Sequence, residues 1–183
     1  MADLNHAPRR IVTGHTPTGS ATVIYENRVP DKRIAGTSPS DGGAKFSVLW
    51  QSKQPSDNAI DCEDAALLPV SIARSDGSVC RVVDMAPGHS SQLHRTISLD
   101  YGIVVAGDGM ELELENTDGG PNEIRKLRVG DVVVQRGTSH AWHNRGDTWG
   151  RMVFILLGAE KIILPNGESI DGVASDIKDG KLG

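Results

Sequence analysis

The segment Leu93–Gly102, LHRTISLDYG, holds a histidine, a threonine and an aspartate at spacings that suit metal binding or proton transfer. On an extended strand alternate side chains share a face. His94 and Thr96 then point one way, joined by Asp100 if the strand stays regular through Ser98, and Arg95 points the other. Further on, HAWHN places His140, Trp142 and Asn144 on one face and His143 on the opposite one. If both segments line one barrel, His94, His140 and Asp100 converge as two imidazoles and a carboxylate. That is a donor set for a divalent ion (Fe, Zn, Mn or Ni) with coordination positions left open. Open positions admit water or substrate, as a catalytic metal requires. Thr96 is a poor ligand at neutral pH, and its hydroxyl is better suited to hydrogen-bonding a metal-bound water or a substrate oxygen.

The elements that would position these residues read as β-structure throughout. Aromatic residues make up only 4% of the 183-residue chain, so the core rests on Val, Ile and Leu. RRIVTGH and ATVIYEN read as strands around a turn, and AKFSVLWQ as another. From Val70 onward short apolar segments alternate with turns rich in Gly, Pro and Asp, a pattern of sandwiches and barrels. MELELEN alternates Met110, Leu112 and Leu114 with Glu111, Glu113 and Glu115, a strand with one dry and one wet face. RMVFILLG is apolar on both faces, which suits a strand covered on both sides or a subunit interface. Ser52–Ala66 reads as an exposed polar connection with one helical turn. Ile170, Val173 and Ile177 have the spacing of a short amphipathic C-terminal helix.

Length favours one domain over residues 1–183, with N-terminal strands and loop over 1–65, a barrel over about 66–165 and a tail over 166–183. A net charge of −5 offers no attraction for nucleic acid or an anionic membrane, and no apolar run reaches the ~20 residues of a membrane span. Cys62 and Cys80 lack metal-ligand spacing and the N-terminus lacks a secretory apolar region. Both point to a cytoplasmic protein with reduced thiols.

The region from about Arg81 to Leu157 resembles the cupins, specifically a small single-domain type. Gly88, His94, Thr96, Asp100 and Gly107 keep the spacing of the first cupin motif, with Thr96 in place of its second His and Asp100 in place of its Glu. Gly130, Asp131, Gly137, His140 and Asn144 follow the second motif, one residue shorter before Gly137 and with Gln135 where Pro is usual. The wording HRTISLDYGIVVAG with GDVVVQRGTSHAWHN also resembles small bacterial and fungal cupins, some of the fungal ones tied to natural-product pathways. That likeness extends to PRRIVTGHTPTG near the N-terminus. The resemblance implies an all-β double-stranded β-helix, or jelly-roll barrel, with an N-terminal strand extension. It implies His94, Asp100 and His140 as ligands of a divalent metal.

Each residue also has a plainer reading. The two histidines suit a hydrogen-bonded barrel pair, Asp100 an acceptor that orients His94, and Trp142 a core aromatic. His89 in APGHSS reads as a rim residue and His143 as an outward-facing one. His15 would matter only if the N-terminal strand crosses to a partner subunit. Trp142, Thr96, His89 and Asn144 are the candidate substrate contacts. The functional expectation is a metal-dependent lyase that decarboxylates, dehydrates or isomerises an oxo acid or a polyketide-like metabolite. The alternatives are an Fe(II) oxygenase and a non-catalytic small-molecule-binding barrel. A homodimer is expected from RMVFILLG.

Overall fold

The computed structural model describes residues 4, 7–33, 43–56, 63–68 and 72–170, except the side chains of Lys32 and Arg33. Its strands are β1 (Arg9–His15), β2 (Ala21–Arg28), β3 (Lys32–Arg33), β4 (Ala44–Lys53), β5 (Gly77–Met85), β6 (Ser98–Ala106), β7 (Met110–Leu114), β8 (Glu123–Lys126), β9 (Val132–Arg136), β10 (His140–Asn144), β11 (Gly150–Gly158), β12 (Ile162–Ile163) and β13 (Ser169–Ile170). No helix occurs among the described residues, so none is long and apolar enough to cross a membrane.

A six-stranded sheet of order β3-β4-β5-β11-β6-β9 carries one layer, and a three-stranded sheet of order β10-β7-β8 the other. The pairings within both are antiparallel. Val79, Val83, Met85, Val104, Met152, Phe154 and Leu156 from the first sheet pack with Met110, Leu112 and Trp142 from the second in one buried cluster. Full burial of such side chains contributes roughly 1.5–3 kcal/mol each, and their period of two follows from the pleat. Gly102 faces Phe154 across the β6–β11 ladder, and a Cβ at this glycine would stand 3.0 Å from Phe154 Cε1. The missing side chain makes room for the ring.

LHRTISL is not one strand. His94 pairs with His140 through two backbone hydrogen bonds of 3.0 and 2.9 Å, and Ser91 N donates to Trp142 O, so this stretch flanks β10 on the smaller sheet. Arg95–Ile97 are irregular, and β6 starts at Ser98 on the larger sheet. The chain changes sheets between the two halves of the motif.

The β1–β2 hairpin forms a separate two-stranded sheet. Arg10 anchors it, donating to Asn27 Oδ1 and Leu49 O, both at 3.1 Å, and to the two oxygens of Asp64 at 2.6 and 2.5 Å. Arg10 is buried and Asp64 largely so, and the hydrogen bond from Arg10 holds the Asp64 carboxyl below its ordinary pKa. The end of the Ser52–Ala66 connection is therefore a buried clamp, with a turn and no helix at Ala65–Leu67. Ile170 lies in strand β13, paired with Ile162, rather than in the expected C-terminal helix; Val173 and Ile177 lie outside the described residues, as does Cys62. Cys80 is a free thiol whose pKa is raised by burial.

Candidate active site

His94 and His140 stand directly opposite each other across the two segments, ring centroids 4.3 Å apart and planes tilted by 50°. Each imidazole is fixed in the same way. His94 Nδ1 lies 2.9 Å from Gln92 O and His140 Nδ1 lies 3.0 Å from Thr138 O. A carbonyl only accepts, so Nδ1 carries the proton in both rings and Nε2 keeps a lone pair. His94 is half-buried, whereas His140 is 2% exposed. Burial lowers the His94 pKa. Burial, followed by repulsion from His94, pushes His140 down to about 3. Both rings are neutral at ordinary pH. Behind them Trp142 stands edge-on to His140 at 5.7 Å and to Phe154 at 5.3 Å, an aromatic wall within the core.

Asp100 enters from β6 on the opposite sheet. Ser98 Oγ donates to Thr96 Oγ1 at 2.9 Å, and Thr96 Oγ1 donates to Asp100 Oδ2 at 3.3 Å, all three residues being buried. Burial raises the Asp100 pKa. Among the described residues no group of three His, Cys, Asp or Glu gathers closely enough to hold a metal ion. Two imidazole nitrogens with fixed Nδ1 protons suit metal ligation, but Asp100 does not complete the set. The expected ligand trio of His94, Asp100 and His140 is brought together only as a pair with a carboxylate nearby.

Sequence reasoning missed Arg81. On β5 it shares the inner face with Val79, Val83 and Met85, and it is 6% exposed. Its guanidinium lies 5.1 Å from the Phe46 ring centroid, and its charge acts on Asp100, His94 and His140. Burial pulls its pKa down to about 10. Gln135 on β9, directly opposite Asp100, is also buried. The available signal was parity: in SVCRVVDM the arginine falls in the register of the inward-facing apolar residues.

Other candidates take structural places. Asn144 is fully buried and donates to Met85 O and Thr148 O at 2.9 and 2.8 Å, while its Oδ1 accepts from Gly146 N at 3.0 Å. Its side chain is committed to backbone and is no substrate contact. His89 is buried rather than a solvated rim residue, and its carbonyl accepts from Asn144 N. His143 has the expected outward parity but is covered, bound through Nε2 to Glu113 Oε2 at 2.7 Å. His15 is exposed at the end of β1 opposite Ala21. A cavity of about 220 Å³ is lined by Ile72, Ala73, Ser75, Thr96, Ile97, Ala159 and Lys161. It does not touch the histidine pair, whose chemistry is the better guide to the site.

No family model matches the chain. Curated relatives do. Phomopsin biosynthesis cluster protein C' of Diaporthe leptostromiformis is 35% identical over 173 residues, covering 91% of this chain and 86% of the relative. The cupin-domain-containing oxidoreductase virC of Hypocrea virens is 34% identical, covering 85% and 78%. The cupin-domain-containing oxidoreductase fogC of Aspergillus ruber is 33% identical, covering 94% and 82%. Among solved structures, the Schizosaccharomyces pombe Cnp3 cupin domain is 13% identical and covers 81% of this chain and 86% of its own, with a TM-score of 0.46.

Proposed function

The chain belongs to the cupin-domain family whose members include proteins of fungal biosynthesis clusters, and from that premise we propose that it is an oxidoreductase of natural-product biosynthesis. Its substrate is a small molecule bearing a carbonyl or hydroxyl group, held between the two sheets. The observation that carries the reading is the His94–His140 pair, two neutral imidazoles with Nε2 free beside an apolar wall. Such a nitrogen accepts a proton from an acidified C–H or O–H at a group positioned within hydrogen-bond reach. The substrate gives up two electrons to an oxidant such as O2 and loses a second proton from its hydroxyl as the new double bond forms, so that O2 takes up two electrons and two protons and leaves as hydrogen peroxide. His94, half-buried, passes on the proton drawn from the substrate, and Trp142 and Phe154 exclude water behind the pair. A divalent metal would find two imidazole ligands here, His94 and His140, without a third from His, Cys, Asp or Glu among the described residues.

A second reading, the lyase, is favoured by Asp100, a buried carboxyl whose charge reaches His94 and which can return a proton to the substrate after the pair has removed one. Proton abstraction is then followed by loss of CO2 or water, and no oxidant is used. Turnover of a panel of β-oxo acids and polyketide-like phenols in an oxygen electrode separates the two. Stoichiometric O2 uptake supports the oxidoreductase, and undiminished anaerobic turnover refutes it in favour of the lyase. In either case His140→Gln lowers kcat/KM by about 10²–10⁴-fold. No turnover of the whole panel, with and without O2, leaves the barrel as a binding module and overturns both.

The homodimer belongs with this reading. Tyr101 and Ile103 of β6, Val153 and Ile155 of β11 and the exposed Val132 and Val134 of β9 form cross-strand rows on the outer face of the larger sheet. A second copy of the chain, paired face to face by a two-fold axis, is the occupant that these apolar rows suit.

A further inference from the structure

The barrel interior contains an unbalanced set of polar groups. Nε and Nη1 of Arg81 are buried with no hydrogen-bond partner. Asp100 is the carboxylate that feels its charge, yet among the described residues no ion pair joins them, and Asp100 Oδ1 is likewise without a partner. Gln135, opposite Asp100 on the next strand, leaves both Nε2 and Oε1 unpaired. Native proteins seldom bury such groups without a partner, and a buried guanidinium without one is among the costliest. Phe46 covers one side of the guanidinium but accepts no hydrogen bond in its plane. The fold holds this cation on central strand β5, between β4 and β11, in register with the core residues Val79 and Val83.

Donors on Arg81 and Gln135 and an acceptor on Asp100 describe the complement of a particular ligand. We propose that Arg81 is the anion receptor of this barrel, binding a carboxylate or enolate oxygen of the substrate, with Asp100 Oδ1 taking a neighbouring hydroxyl. The substrate class is thereby a hydroxy or oxo acid, or an enolisable compound that becomes anionic as its proton leaves. The inference rests on the reading of the barrel as a substrate site and adds its charge preference. A guanidinium placed here also stabilises the negative charge that proton removal creates, a group pre-oriented in a low-dielectric interior. The same charge disfavours a second cation among His94, His140 and Asp100, in keeping with a ligand set that does not close.

The test uses acetate as the probe, with acetamide as the neutral match and chloride at the same ionic strength. The Arg81 Nε–H resonance is assigned by its loss in Arg81→Met, and binding is also followed on the His94 ring protons. Acetate is expected to shift both signals saturably, acetamide and chloride to leave them unmoved, and Arg81→Met to weaken acetate binding by about 10–100-fold. Arg81→Lys retains part of the affinity. Because Met relieves an unpaired buried charge, the urea midpoint of Arg81→Met is expected to be equal to or above that of the wild type. A structural arginine would give a lower midpoint, which overturns the proposal. So does an equal response to acetamide or chloride, or none to acetate. Acetate binding is read without turnover, so His140→Gln keeps it while losing activity, and failure of the redox reading leaves this measurement intact.

Discussion

His140 sets a pH dependence that can be worked out from its surroundings. Folded, it is 2% exposed and its pKa is pushed down to about 3 by burial first and His94 second; unfolded, it returns to about 6.5. Below roughly pH 6.5 the unfolded chain binds a proton that the native chain refuses. Stability contributed by the neutral ring is complete above that pH and is lost as pH falls. One proton gives a limiting slope of about 1.4 kcal/mol per pH unit, and integration from about pH 6.5 to 4.5 gives roughly 2 kcal/mol. His94 acts in the same direction, its pKa being lowered as well. Asp100 acts in the opposite one: its folded pKa is raised, so the native state takes up its proton first and gains as pH falls. Urea unfolding of wild type and His140→Gln between about pH 7 and 4.5 isolates the His140 share, since the other groups titrate in both. The stability difference between the two proteins is expected to shift by roughly 2 kcal/mol in favour of the variant over that range. Parallel curves would refute the placement of His140 as a neutral buried base, and so would a ring titrating near 6.5 by NMR. The same placement predicts no acid limb of kcat/KM near 6.5 from this residue.

Asn144→Ala strands Met85 O, Thr148 O and Gly146 N at a fully buried position, and a loss of about 3 kcal/mol is expected in urea unfolding. Asp64→Ala leaves the Arg10 guanidinium buried with only Leu49 O and Asn27 Oδ1, and is expected to cost about 3 kcal/mol and to speed amide exchange selectively in β1 and β2. Ile155→Lys on the outer face of β11 is expected to convert a dimer to a monomer in light scattering at micromolar concentration while acetate binding persists. A wild-type monomer would remove the reason for that substitution.

Much of the barrel was legible because strand periodicity is a local property. Met110, Leu112 and Leu114 alternate with glutamates, Met152, Phe154 and Leu156 fill one face of β11, and both patterns recur in the observed burial. The facing of His94 by His140 also follows from types and spacing, because both lie in turn-bounded segments of the same small sheet. In LHRTISLDYG the condition of a regular strand is not met, because Arg95–Ile97 carry the chain from one sheet to the other, yet Thr96 and Asp100 are both buried. The role of Asn144 was hidden for a second reason: a polar side chain next to a candidate site can be spent on backbone carbonyls and amides, and nothing local in the sequence records that.

The sequence by itself determined the all-β class, the inward faces, the two histidines and the family they belong to, since these depend on alternation and on residue types at fixed spacings. Only the tertiary structure decided which polar groups meet inside. Arg81, Asp100 and Gln135 come from three strands distant in the chain, and their missing partners depend on how two sheets close on one another. Burial removes water from these groups, so it was packing that turned an arginine in an apolar strand into the strongest charge in the site.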